Sequence, residues 1–286
     1  MLEILFTSPK EARTIYSIFR KNRIENKSEL QLLNDEVITI NPTLWDVAVE
    51  KMIIPGFVQF ICEHKEHEMM ITLIKQNYYF KDEDEQHQIL QIAYSIMEGE
   101  RTDIPGIKEG PSRELLLRKI LSQFLKPNLS FSYAAFQRFR LHPYIERLRD
   151  YVEVAIEEYK LEQEYQVFIH NIREYLVKRE TKVHQLFLVH KEKEYVLLND
   201  QYRVLSEQEL IQSIDQQFIY QHPMYIDSKL LAPLVSMAPN VINVYTDNQY
   251  DGMLHTIQNI FQERVTIHNL QEFKGHFKEN KNREPS

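Results

Sequence analysis

One cysteine, Cys62, stands alone in the 286-residue chain, so no internal disulfide framework can form. With 27% of the residues charged, a lone thiol fits a reducing compartment, and a cytoplasmic setting is expected. Glycine is scarce, at six residues. Loops that cradle phosphates need glycine for close backbone approach, so nucleotide chemistry is disfavoured. No Gly-x-Ser-x-Gly elbow, Walker-type loop or dinucleotide fingerprint occurs, which removes the main support for hydrolase and nucleotide-binding readings. An enzyme whose catalytic groups converge from distant positions stays open as a secondary alternative.

Long apolar runs are missing as well. The most apolar stretches, 52–62 and 230–239, are too short to span a bilayer and are interrupted by proline, glycine or serine, so no membrane span is expected. Glu3 stands where a secretory leader would carry a cation, and no apolar segment of leader length follows it. Basic residues number 34 against 42 acidic ones, and the formal net charge of −8 weakens long-range attraction to nucleic acid.

What is present is a mixture of strand and helix patterns. Residues 2–6 read as a strand. Ser8 and Pro9 then supply the cap and first turn of a helix running to about Arg23, with Ala12, Ile15, Ile18 and Phe19 as its apolar stripe. Two apolar runs around Asn34-Asp35 predict a β-hairpin over 29–40. The same Leu-Leu-Asn-Asp core recurs at 197–200 and predicts a second, similar hairpin over 194–205; chance recurrence of a short turn explains the repeat better than duplication. Between them lies helical periodicity, with breaks expected at Pro55-Gly56, from Gly99 to Pro111, near Pro127 and at Pro143. Its longest helix is placed at 144–178, with a stripe that includes Leu148, Val152, Ala155, Ile156, Ile172 and Leu176. Beyond it, 183–190 and 195–199 read as strands and 206–218 as a helix opened by a capping box at Ser206 and Glu209. Residues 241–246, 252–262 and 264–268 read as strand, helix and strand. The polar tail is expected to fray.

Three clusters carry residue types that could bind metals. In Cys62-Glu-His-Lys-Glu-His-Glu68, Glu63 and His67 share a helix face, but no second Cys/His cluster completes a site, and a solvated charged face is the expected role. Asp247 to Gly252 is similar to the start of an EF-hand loop, yet Gln249 and Gln258 occupy two ligand positions, so a helix cap at Asp251 is expected instead. The acids 82–85 suit the positive end of a helix that starts there. No metal, cofactor or catalytic residue is assigned.

One segment reverses the local charge. Phe131 to Arg149 interleaves aromatic rings with arginines, and Arg138, Arg140, Tyr144 and Arg147 are the candidate anion or partner surface. The competing reading makes the rings core and pairs the arginines with Glu146, Asp150 and Glu153.

The Phe-Gln-Arg-Phe-Arg run at 136–140, Tyr151 to Tyr159, and Glu164-Tyr-Gln-Val-Phe-Ile169 together resemble the YtxC-like family of endospore-forming bacteria. That resemblance covers nearly the whole chain. It implies a cytoplasmic setting and a link to sporulation, and it brings no activity, ligand or catalytic residue with it. The expected fold class is α+β: a strand-helix-hairpin segment at 1–42, a helical middle portion at 43–180, an α/β portion at 183–270 and a polar tail at 271–286. Whether the flanking strands join in one mixed sheet is open at this level. The expected function is that of a non-enzymatic interaction or regulatory protein with a protein partner; nucleic-acid binding through the arginine and aromatic segment is the alternative.

Glu63, His64 and His67 are too few to hold a metal, so elemental analysis of the purified protein should find none in stoichiometric amount. About one zinc per chain, lost in His67→Ala, would overturn that assignment.

Overall fold

The computed structural model describes residues 1–23, 28–101, 104, 110–192, 194–215 and 229–273. The chain divides into two compact units, Met1–Leu161 and Glu162–Ser286.

In the first unit, β1 (Leu2–Leu5) leads into α1 (Pro9–Asn22), where Ser8 Oγ accepts from the Glu11 amide and Pro9 occupies the first turn. The four stripe residues Ala12, Ile15, Ile18 and Phe19 are the ones the helix buries. The first hairpin forms as expected, from β2 (Ser28–Leu33) and β3 (Val37–Pro42), with Asn34 and Asp35 at φ 52 and 59. Short polar side chains tolerate that left-handed backbone. Leu2 and Ile4 pair with Ile40 and Ile38, and all four face the core.

A fourth strand, β4 (Leu129–Ser132), lies parallel to β1 and completes a sheet of order β2-β3-β1-β4. It falls inside the stretch read as a helical portion, and this corrects that reading. Four residues of Leu-Ser-Phe-Ser are too few to declare a period; β4 exists because Leu129 and Phe131 extend the apolar face of Leu2 and Ile4. Both edges of β1 are thereby filled, and the C-terminal strands form a separate sheet.

The expected break at Pro55-Gly56 is absent. Residues 45–77 run as one helical path in which α2 (Trp45–Ala48), α3 (Ile54–Phe60) and α4 (Glu66–Thr72) alternate with π turns at Val49–Ile53, Ile61–Lys65 and Leu73–Asn77. Pro55 lies in the first turn of α3, directly after a π turn, where its missing N–H interrupts no regular ladder. Gly56 serves packing instead: a Cβ there would lie 2.5 Å from the Phe19 ring, so its absence lets α3 approach α1.

The remaining breaks occur where expected. Helix α5 (Glu83–Met97) ends just before Gly99 at φ 78, and α6 (Arg113–Phe124) ends before Pro127. Helix α7 (Tyr133–Arg140) is followed after Leu141 by α8 (His142–Lys178), with Pro143 in a first turn whose amides need no intrahelical acceptor. Helix α8 gives its residues up to Leu161 to the first unit and the rest to the second.

In the second unit, β5 (Gln185–Lys191) pairs antiparallel with β6 (Glu194–Leu198) and parallel with β7 (Val241–Thr246), which pairs parallel with β8 (Val265–Asn269), in the order β6-β5-β7-β8. The second Leu-Leu-Asn-Asp run also turns back antiparallel, in a shorter hairpin than the first. It ends β6 and turns back through one bridge, Leu198↔Val204, with positive φ at Tyr202 rather than at Asn199 or Asp200. Asn199 Oδ1 accepts from the amides of Gln201 and Arg203, and the backbone bonds from Asn199 N to Arg203 O and from Leu205 N to Leu197 O close the turn. The partner of β6 across a hairpin is β5. Helix α9 (Glu207–Ser213) carries the full capping box but stops at Ser213, because Ile214 is extended; Phe218 lies outside the described residues. The run 230–239 holds α10 (Leu231–Met237), every residue of which is buried. Helix α11 (Gly252–Phe261) links β7 to β8. Phe168, Ile169, Ile172 and Leu176 of α8 pack with α10, α11 and one sheet face, while Phe187, Leu198, Tyr245 and Leu270 cover the other face. The tail from residue 274 lies outside the described residues.

Gly56→Ala should therefore destabilise the protein by about 1–3 kcal/mol through overpacking against Phe19. Gly252→Ala, with no heavy atom within 4 Å of the added methyl, should be neutral or slightly stabilising. Denaturant midpoints of the two variants check the contrast; equal midpoints would show that α1 and α3 are not in close contact.

Candidate functional site

Helix α7 is short, and its periodicity divides it sharply. Tyr133 and Phe136 are buried, which turns Arg138, Phe139 and Arg140 outward, with Phe139 at 69% exposure. The Arg138 guanidinium lies 5.4 Å from the Phe139 ring centre, and that of Arg140 lies 5.7 Å from the ring of Phe124. Among the described residues no carboxylate pairs with Arg138, Arg140 or Lys126. Two cations in the last turn of a helix complement its dipole, which accounts for their sign. It does not account for an aromatic ring left in water beside them.

Beside this face runs an open groove of about 660 Å³. Ile120 and Phe124 of α6, Leu129 at the start of β4 and Pro143 of α8 supply its apolar lining. Lys126 and Arg140 supply its charge, His142 adds a polar ring, and Phe139 forms a wall. Among the described residues no carboxylate lines it.

The other two candidates point elsewhere. Tyr144 is fully buried, so it is no part of a surface; its hydroxyl donates to Oε2 of Glu66. Arg147 is 11% exposed, stacks 4.8 Å from Tyr151 and lies 3.8 Å from Asp150. Arg149 pairs with Glu146 at 2.8 Å. The segment thus divides: Arg138 and Arg140 face outward, while Arg147 and Arg149 meet the neighbouring acids.

Tyr144 leads to a buried centre that sequence reasoning missed. Glu66, 1% exposed, accepts from Arg113 Nη1 at 2.9 Å on Oε1 and from Tyr144 on Oε2. Cys62 Sγ lies 3.9 Å from the Tyr144 hydroxyl. Burial pushes the Glu66 carboxyl above its ordinary range, against the opposing pull of Tyr144 and Arg113. The Cys62 thiol is pushed up to about 11 by burial and by the Glu66 charge, and burial with the same carboxylate drives the Tyr144 phenol far higher. Neither group forms an anion at neutral pH, so neither is primed as a nucleophile. Each partner comes from a different helix, and the centre ties α4, α6 and α8 together. Glu66 stands in the very run inspected for metal ligands, but its neighbours gave no sign that it turns inward: Glu63 accepts from Gln59 at 3.0 Å, and His67 is exposed.

In the second unit a smaller polar cluster closes the end of the sheet. Asp251 caps α11 by accepting from the Met253 and Leu254 amides at 2.9 and 3.3 Å, and it accepts from the Tyr195 hydroxyl. His190, 2% exposed, stacks on Tyr195 with ring centres 4.4 Å apart and meets Thr246 Oγ1 through Nδ1 at 3.0 Å. Burial raises the Asp251 pKa, but the Tyr195 hydroxyl and the two amides outweigh it and hold the carboxyl below its ordinary value.

Comparison with known proteins adds a lineage. The model of the YtxC-like family matches residues 51–266. A Bacillus subtilis (strain 168) protein described as "Uncharacterized protein YtxC" is 38% identical over 277 residues, 96% of each chain. No solved structure matches.

Removing the buried carboxylate should leave Arg113 and Tyr144 without their acceptor, so Glu66→Ala is expected to cost about 3–5 kcal/mol. Glu66→Gln keeps an acceptor and should cost less, about 1–2 kcal/mol. Because the folded pKa of Glu66 is raised, the native state holds this proton longer than the unfolded chain does. Its contribution is complete below the ordinary carboxylate pKa and is lost as pH rises through the folded value. Denaturant titrations across that window should show the decline in the wild type and its absence in Glu66→Gln.

Proposed function

The chain belongs to the YtxC-like family, and we propose that it is a non-enzymatic interaction or regulatory protein of the cytoplasm of spore-forming cells, docking a protein partner at the face of Arg138, Phe139 and Arg140. The observation that carries this reading is the 69% exposure of Phe139 beside the Arg138 guanidinium, with neither Arg138 nor the adjacent Arg140 paired to a carboxylate among the described residues. Covering a phenylalanine side chain is worth about 1.5–3 kcal/mol, which the isolated chain forgoes here. Aromatic and arginine side chains are also the types that dominate binding energy at protein interfaces. The link to sporulation rests on the family resemblance. Single-stranded nucleic acid is the less favoured partner: the chain carries a net charge of −8, and Arg147 and Arg149, which would extend the basic path, are engaged by Asp150 and Glu146.

A photo-crosslinking amino acid placed at position 139 tests this in sporulating cells. The expected result is a discrete protein adduct that disappears when Arg138 and Arg140 are both changed to glutamate, with the thermal midpoint lowered only slightly, since both side chains are exposed and lose only their complement to the helix dipole. An adduct to nucleic acid alone, or none in cells that contain the protein, would overturn the proposal.

A further inference from the structure

We propose that the groove beside α7 takes an extended acidic segment of a partner protein, with a bulky apolar side chain seated against Phe124 and Leu129; this rests on the docking reading above and names the chemistry of the partner.

The first support is charge complementarity. Lys126 and Arg140 line the groove with no carboxylate among its described lining residues, in a chain whose acids outnumber its bases by 42 to 34. Arg138 adds a further cation on the same short helix. His142 lies 3.8 Å from Glu146, and that contact is exposed and weak. A surface that gathers cations against the average of its own sequence recruits acidic partners and rejects basic ones.

The second support is the lining itself. Ile120, Phe124, Leu129 and Pro143 are apolar, and Phe124 and Leu129 are only half-buried. Inorganic phosphate would gain nothing from them. A nucleic-acid backbone would likewise leave them uncovered while using only a few cations, whereas a peptide offers carboxylates and an apolar side chain together. At about 660 Å³ the space exceeds what one side chain fills, so it accommodates a length of chain.

The third support is the strand at its edge. Leu129 is the first residue of β4, which pairs with β1 on one side and with no other described strand. The outer edge of β4 therefore offers its backbone groups to an added strand. Leu129 belongs both to the groove lining and to that edge strand.

The test is fluorescence anisotropy with the full-length protein and a labelled peptide, Glu-Glu-Phe-Glu-Leu-Glu-Glu. Controls are the same peptide with lysine for glutamate, the same peptide with serine for its two apolar residues, and a short single-stranded RNA. Binding in the micromolar range is expected for the acidic peptide alone, weakening on the order of tenfold in Arg140→Glu and in Phe139→Ser and falling with added salt. Lys126→Glu, at another exposed position, should repeat the loss and guards against a local effect at Arg140. Equal binding of the lysine or serine peptide, unaltered binding by the variants, tighter binding of the RNA, no binding of the acidic peptide, or self-association of the chain that these variants abolish would each overturn the inference. A protein adduct at position 139 in cells without acidic-peptide binding would overturn this inference alone and leave the docking reading standing.

Discussion

A carboxylate that is 1% exposed is stable only if both of its oxygens are engaged, and the first unit is arranged around meeting that demand at Glu66. Arg113 is the first residue of α6, and Tyr144 lies in the first turn of α8. Each must be where Glu66 needs it, so the start of both helices is pinned to α4. The rest of α6 then carries Ile120 and Phe124 to one side of the groove. His142 and Pro143, immediately before Tyr144, form another. Burial in this centre keeps its thiol and phenol protonated at neutral pH. The centre sets the distance between surfaces that face water.

The aromatic residues carry the same constraint outward. Phe6, Phe57, Phe60 and Tyr133 form a packed set in which Phe6 stacks on Tyr133 at 5.2 Å and Phe60 meets it edge-on at 5.4 Å. Phe136 continues the set toward Phe124, 4.9 Å away, and Phe124 meets Phe131 of β4 at 4.9 Å with ring planes perpendicular. Such pairs contribute about 0.5–1.5 kcal/mol each beyond burial. The outer end of this series carries the Arg140 guanidinium, so the lining of the groove is the edge of the core. The second unit solves a similar problem differently, closing the end of its sheet with a capped helix and a buried histidine stacked on tyrosine.

Much of this was legible locally. The stripe of α1, the Asn34-Asp35 turn, the capping box at Ser206 and the long α8 all follow from residues within a few positions of one another, since caps, turns and a 3.6-residue period are short-range properties. Arg138 and Arg140 were recognisable as a surface for the same reason. What the sequence by itself determined was therefore the class of fold, most element positions and where positive charge gathers.

Tertiary structure alone decided the rest. Strand β4 has no period to announce it and exists because β1 had a free edge. Gly56 reads as a helix breaker, yet it is a contact point for Phe19 on another helix. Tyr144 is indistinguishable in sequence from its exposed neighbours until Glu66, 78 residues earlier, is brought against it. In each case the deciding energy comes from a group distant in sequence: a strand edge, a ring or a buried charge whose pairing cost no local pattern can express.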